Sequence, residues 1–233
     1  MRCRPKIHYE IIRDEKVLEE ALRLQARRYV ASGFIDELPP DGVLVDAFTP
    51  MSTHFCGRTD TGAVIAVGRL IDHSGALGIP ALNDFALNAE GTEWLATAPR
   101  ERLTEFGALA VEPEFSTVDI SKGLYRLMVQ YSLAVSSRTL WCATPTSGVR
   151  RLMRRTLGLQ LVNLADPVWY RGAMTEPVVC DLIKQVRWYQ EHDRALADFF
   201  LHGLEFDLVS GDVRITGDHA VVTPEMVASH QAR

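Results

Sequence analysis

A carboxylate set inside an apolar, strand-like run constrains this chain more than any other feature. Residues 103–111, LTEFGALAV, carry Glu105 between Thr104 and Phe106 and lead to Pro113, which has no N–H to give to a ladder. The run is expected to be a buried strand. Alternation places Leu103, Glu105, Gly107, Leu109 and Val111 on one face, and Thr104, Phe106, Ala108 and Ala110 on the other. An unpaired charge is costly to bury, so Glu105 implies either a structural ion pair, with Arg69 or Arg28, or a chemical task. Gly107 weakens a strand interior but allows a bulge or the close approach of a ligand.

A polar loop, EPEFSTVD, follows and leads into a helix. Asp119 is its expected N-cap, and Leu124, Leu127, Met128, Tyr131 and Val135 form one apolar stripe. Lys122 and Gly123 fall in the first turn, where free N–H groups and the helix dipole favour an anion. A strand distorted at its middle, feeding a helix that can hold phosphate, suits a phosphopantetheine thioester.

The length of 233 residues allows one large domain, or a domain with an appendage. A hydrophobic share of 47% and a charged share of 24% belong to an ordinary globular protein. The net charge of −5 argues against nucleic acid as a partner. Cys3, Cys56, Cys142 and Cys180 have no CxxC spacing, so neither a metal cluster nor a disulfide framework is expected, and a reducing cytoplasm fits. No apolar run approaches the roughly 20 residues needed to span a bilayer, and the start, MRCRPKIHYE, lacks a secretory core segment.

Along the chain, 7–12 reads as a strand and 14–30 as a helix capped by Asp14. Gly33 and Pro39-Pro40 then mark a loop. Residues 53–58 and 63–72 read as a hairpin around Thr59–Gly62. Residues 74–99 are irregular, with a short helix expected over 90–97. Beyond the Glu105 unit, 139–144 is a short strand and 147–157 a helix capped by Ser147. An interrupted strand over 159–170, a strand over 176–182 and one helix over 183–201 follow. In the tail, 213–215 and 220–222 flank Thr216-Gly217-Asp218 as a hairpin, with a helix start at Thr223-Pro224-Glu225. That tail is expected to cover a core edge, join an oligomer, or fray.

Arg28-Tyr29-Val30, Asp46, His54-Phe55, Gly68-Arg69-Leu70 and Glu105 stand in that order. Their joint order resembles the GNAT-type acyltransferases over roughly residues 7–200. More narrowly it is similar to the acyl-homoserine-lactone (autoinducer) synthases and the N-acyl amino acid synthases. The resemblance implies an α/β (α+β) GNAT fold, with a central mixed, mostly antiparallel sheet splayed at its middle and helices on both faces. It implies a domain over 1–202 and leaves 203–233 as a C-terminal extension.

The activity implied is transfer of a medium or long acyl chain to an amino-acid-like amine, with no permanently bound cofactor and acyl-ACP or acyl-CoA as co-substrate. Glu105 would take the proton of the attacking ammonium, a task suited to a desolvated carboxylate. The resemblance puts Arg69 in the polar core of the site, although a mid-strand Arg also suits a solvent-facing side of a sheet. Arg28 and Asp46 would order the N-terminal region over the substrate pocket. Free N–H groups near Ala108, Leu109 and Ala110 would polarise the thioester carbonyl, and Phe106, Leu127 and Trp141 would line the acyl chain.

Two departures weaken lactone formation: Val43 and Leu44 replace an expected Asp, and Ala108 replaces an expected Arg. The loop VDISKGL offers Lys122 and Gly123 for one phosphate but a poor cradle for a CoA diphosphate, which favours an acyl carrier protein as donor. Arg150, Arg151, Arg154 and Arg155 form two like-charge i, i+4 columns, each pair costing roughly 0.2–0.5 kcal/mol. They are either a docking patch for that acidic carrier or a solvated basic face. His54 and His73 are alternative bases, more simply read as structural, and Cys142 reads as inert core. Three further readings stay open: a short-chain acyl-CoA N-acyltransferase, an autoinducer synthase using S-adenosylmethionine, and a non-catalytic carrier-binding protein.

Overall fold

A seven-stranded sheet in the order β1-β2-β3-β4-β5-β9-β6 organises the protein. The structure, a computed structural model, describes residues 6–73, 77–116 and 118–202, together with the backbone of 204–206 and 213–215. Strand β1 (Ile7–Ile11) pairs with β2 (Ser52–Thr59), which forms the expected hairpin with β3 (Val64–Asp72). Between β1 and β2 runs α1 (Glu15–Ala31), whose N-cap Asp14 accepts hydrogen bonds from the N–H groups of Lys16 and Val17. Strand β4 (Leu103–Val111) is antiparallel to β3 and parallel to β5 (Leu140–Ala143), the one parallel pair in this sheet among the described residues.

Helices cover both faces. On one, α1 packs Ala21 and Leu24 against Val67 and Ala110, and α2 (Pro80–Asn83) and α3 (Ala89–Thr97) close over Ile71, Leu103 and Leu140. On the other, α4 (Val118–Tyr131), α5 (Ser147–Thr156), α6 (Leu182–His192) and α7 (Arg194–Leu201) bury Leu124, Met128, Met153, Val186 and Phe200 with Phe55, Leu70 and Phe106. The stripe expected on α4 is buried from Leu124 to Tyr131. Asp119, however, lies in the helix's first turn rather than at its cap, and 132–136 continue as a π-helical turn.

Other expectations change with local chemistry. The helix expected over 183–201 is two, because Asp193 leaves helical geometry and its carboxylate caps α7 at Leu196. Thr146, not Ser147, caps α5. The strand expected over 159–170 shrinks to β6 (Val162–Asn163), and Val168–Tyr170 (β7) instead pairs with Ala173–Thr175 (β8) in a separate hairpin. Strand β9 (Val178–Asp181) joins β5 to β6. In the tail, Leu204–Phe206 (β10) pairs with Val213–Ile215 (β11). The hairpin expected around Thr216-Gly217-Asp218 and the helix start at Thr223 lie outside the described residues. Among the described residues no helix is long and apolar enough to cross a membrane.

Candidate active site

The site forms where the middle of the sheet opens. The β4–β5 ladder runs through Leu103–Leu140, Thr104–Trp141 and Glu105–Cys142 and then stops, although β4 continues to Val111 on its β3 side. From Phe106 onward the β5-facing edge of β4 borders a gap.

A bulge in β4 shapes that gap. Val67 pairs with Ala110 and Arg69 with Gly107, so Gly68 alone faces Ala108 and Leu109. The sequence points to Gly107 for such a distortion. The left-handed residue is Ala108 instead, at φ 57°, at a cost of about 1–2 kcal/mol. The extra residue also reverses the alternation expected along the strand. Leu109 and Val111 pack with Phe106 on the α4 side, and Ala110 packs on α1. Of the residues expected to bind substrate along β4, Ala108 lines the cavity, together with Gly107.

This cavity, about 110 Å³, is bounded by Arg69, Ile71, Glu105, Gly107 and Ala108 from the sheet. Tyr29 from the end of α1, Phe34 just beyond it, Pro80 from α2, Thr144 and Thr146 after β5, and Tyr170, Arg171 and Thr175 from the β7–β8 hairpin complete it.

Glu105 is 3% exposed. Its Oε2 accepts the N–H of Ala81 at 2.6 Å, and Thr144 Oγ1 donates to Oε1 at 3.4 Å. Burial pushes its pKa up to about 7, against the opposing pull of the Ala81 N–H and the Arg69 charge. Neither expected ion-pair partner holds it. The Ala81 donor comes from α2, an element not anticipated in the irregular region, whose signal was Pro80 after Gly78-Ile79 at a helix N1 position.

Arg69 faces Asp46 in a bidentate pair, Nη1 to Oδ1 at 2.9 Å and Nη2 to Oδ2 at 2.6 Å. Asp46 Oδ1 also accepts from the Phe48 N–H and Thr49 Oγ1 at 3.0 Å each. Burial pushes the Asp46 carboxyl up, but Arg69 and these donors outweigh it and its pKa is lowered. Across the ladder His54 faces Arg69, and burial with that neighbouring charge lowers its pKa to about 4. It is a neutral core group, as is the Cys142 thiol, which burial and Glu105 hold well above the ordinary range.

Several expected residues lie elsewhere. Arg28 is half-buried and outside the cavity lining, where its neighbour Tyr29 stands instead. Trp141 donates to Ser132 Oγ at 2.8 Å and stacks on Phe106 at 5.6 Å in the α4-side core, which Leu127 also joins. Gly123 serves packing, since a Cβ there would sit 2.2 Å from the Tyr9 ring. Lys122 is half-buried, and because α4 starts at Val118 both it and Gly123 lie in the second turn rather than in the first as expected, past the free N–H groups of the helix end. Arg150 is committed to Glu176 at 2.5 Å and Asn163 at 2.6 Å, and so drops out of the basic patch, whereas Arg151, Arg154 and Arg155 are exposed.

A mostly antiparallel sheet whose parallel pair parts at its middle has the fold of the GNAT-like class, and comparison with known proteins agrees. The structure is similar to the autoinducer synthase LasI (17% identity, TM-score 0.61, covering 76% of this chain and 91% of that one). It is similar to FeeM, an N-acyl amino acid synthase from uncultured soil microbes (18%, 0.61, 84% and 98%). It also resembles BjaI, a CoA-dependent acyl-homoserine lactone synthase solved with SAM and isopentyl-CoA (14%, 0.65, 98% and 100%). A search among curated proteins gave no match. The family model for N-acyl amino acid synthase FeeM matches residues 20–181, and the chain belongs to that family. It is an acyltransferase acting on an amine-bearing substrate.

Proposed function

We propose that the protein moves a medium or long acyl chain from an acyl-carrier-protein thioester to an amino-acid-like amine, with Glu105 as the base. The observation that carries this reading is the Glu105 carboxylate, buried where β4 leaves β5 and bordering the cavity. With a pKa near 7 it can take a proton from an ammonium and still be ionised in useful amounts. The freed amine attacks the thioester carbonyl carbon, the C–S bond breaks, and the second proton shed by the nitrogen goes to the departing thiolate. The Ala108 bulge turns the backbone at the edge of the gap, where N–H groups would meet the developing oxyanion.

Two features favour a carrier protein over CoA. The Tyr9 ring packs on Gly123 in the second turn of α4, and its hydroxyl donates to the Ile120 carbonyl of the first at 3.2 Å, crowding the flank of the helix start where a diphosphate would need room. Arg151, Arg154 and Arg155 present exposed charge to an acidic partner. Purified protein is offered acyl-carrier and acyl-CoA donors with an amino acid acceptor, and products are read by mass spectrometry. Arg151→Glu with Arg155→Glu is expected to slow transfer from the carrier alone. Unchanged carrier turnover at physiological salt defeats the docking claim.

A further inference from the structure

The β7–β8 hairpin ends in a turn whose central residues, Arg171 and Gly172, both have positive φ (47° and 77°). That is the geometry of a type I′ turn, which favours Asn or Asp followed by Gly. An arginine at the first position is strained there, and strain of this kind concentrates where a side chain has work to do.

The turn is fixed in place from two directions. Tyr170 donates its hydroxyl to Asp84 at 2.5 Å and its ring meets Phe85 at 4.8 Å. On the other side Gly172 lies so close to the Gly33 carbonyl that a Cβ would sit 2.3 Å from its oxygen. The result holds Arg171 against the cavity that Glu105 and Arg69 border.

Among the described residues, two charged groups that line this cavity, Glu105 and Arg171, have no ion-pair partner. Arg69 is matched by Asp46, and Asp84 accepts from Tyr170. Among the described residues Arg171 has no carboxylate partner, and its guanidinium rests over the Tyr170 ring at 5.1 Å. A guanidinium without a carboxylate partner, lining the same cavity as a proton-accepting carboxylate, fits a ligand that carries both an ammonium and a carboxylate.

We infer that Arg171 binds the carboxylate of the acceptor, and that the hairpin tip selects against amines that lack one. This rests on reading the cavity as the acceptor site. It assigns acceptor selection to a hairpin that the Glu105 unit does not include.

Titration calorimetry with L-leucine against isopentylamine, and L-phenylalanine against phenethylamine, tests the contact. Wild type is expected to bind each amino acid roughly tenfold or more tighter than its amine, as a charge-assisted pair would give. Arg171→Gln removes that advantage while leaving amine binding unchanged, and Arg171→Lys restores part of it. Arg171→Asn, which relaxes the turn and so folds at least as well, loses the advantage too. An amino acid advantage that survives both Arg171→Gln and Arg171→Asn, or one absent from wild type, overturns the inference. Product formation is scored separately by mass spectrometry. Retained carboxylate discrimination without any N-acyl product counts against the acyl-transfer reading and not against the Arg171 contact.

Discussion

Glu105 and Cys142 form the last bridge of the parallel ladder between β4 and β5. One residue further on the two strands part, so the carboxylate stands at the point where the sheet opens. Its burial raises its pKa to about 7, and a raised carboxyl pKa weakens the fold at high pH. Below its unfolded value both states are protonated and nothing is lost. Between about 4.5 and 7 the unfolded chain sheds its proton while the folded group keeps it, so stability falls, and above about 7, where both are ionised, the loss levels off. Glu105→Gln should therefore be the more stable protein at pH 9, by up to about 3 kcal/mol, with the gain vanishing near pH 4. Denaturant unfolding across pH checks this.

His54 acts in the opposite direction. Its folded pKa of about 4 lies below the ordinary histidine value, so the unfolded chain takes up the proton first. Stability should fall as pH drops through 6.5 and level off near 4, with this residue contributing about 3 kcal/mol of the loss. In His54→Gln that part of the acid slope should be missing from urea titrations.

Breaking the Arg69–Asp46 pair on one side only leaves a buried guanidinium, since the Arg69 side chain is 8% exposed. Asp46→Asn should cost about 2–3 kcal/mol, discounted because the Asp46 side chain is one-third exposed. Asp46→Asn combined with Arg69→Met should cost less than the sum of the two single changes. A double-mutant cycle by chemical denaturation measures the coupling.

Gly123→Ala sets a helix gain of up to about 1 kcal/mol against overpacking of about 1–3 kcal/mol. With a Cβ 2.2 Å from the Tyr9 ring, overpacking wins. The variant should melt lower, and Tyr9→Leu should relieve it. If Gly123→Ala instead melts normally and raises only the KM for the acyl donor, the glycine serves the ligand and not the packing.

Strands β1 to β5 were legible from their apolar runs and turn residues, the mixed sheet from the resemblance, and Glu105 from the cost of burying a charge. The cavity lining was less so. Alternation along β4 fails at one residue because the bulge falls on Ala108, and alanine carries no composition signal for a left-handed φ. The Ala81 donor to Glu105 and the Tyr170 and Arg171 wall come from short elements remote in sequence, where local propensity says little about tertiary placement. Arg150 looked like one of four equivalent cations until Glu176, far along the chain, took it.

Glu105 as the proton acceptor carries the proposed chemistry, and the pH dependence of kcat/KM for acyl transfer tests that role most directly. The rate should rise with pH about an apparent pKa near 7, and Glu105→Gln should lower it by roughly 100-fold or more and remove that inflection. A folded Glu105→Gln enzyme that keeps the wild-type rate and the same pH profile would contradict it.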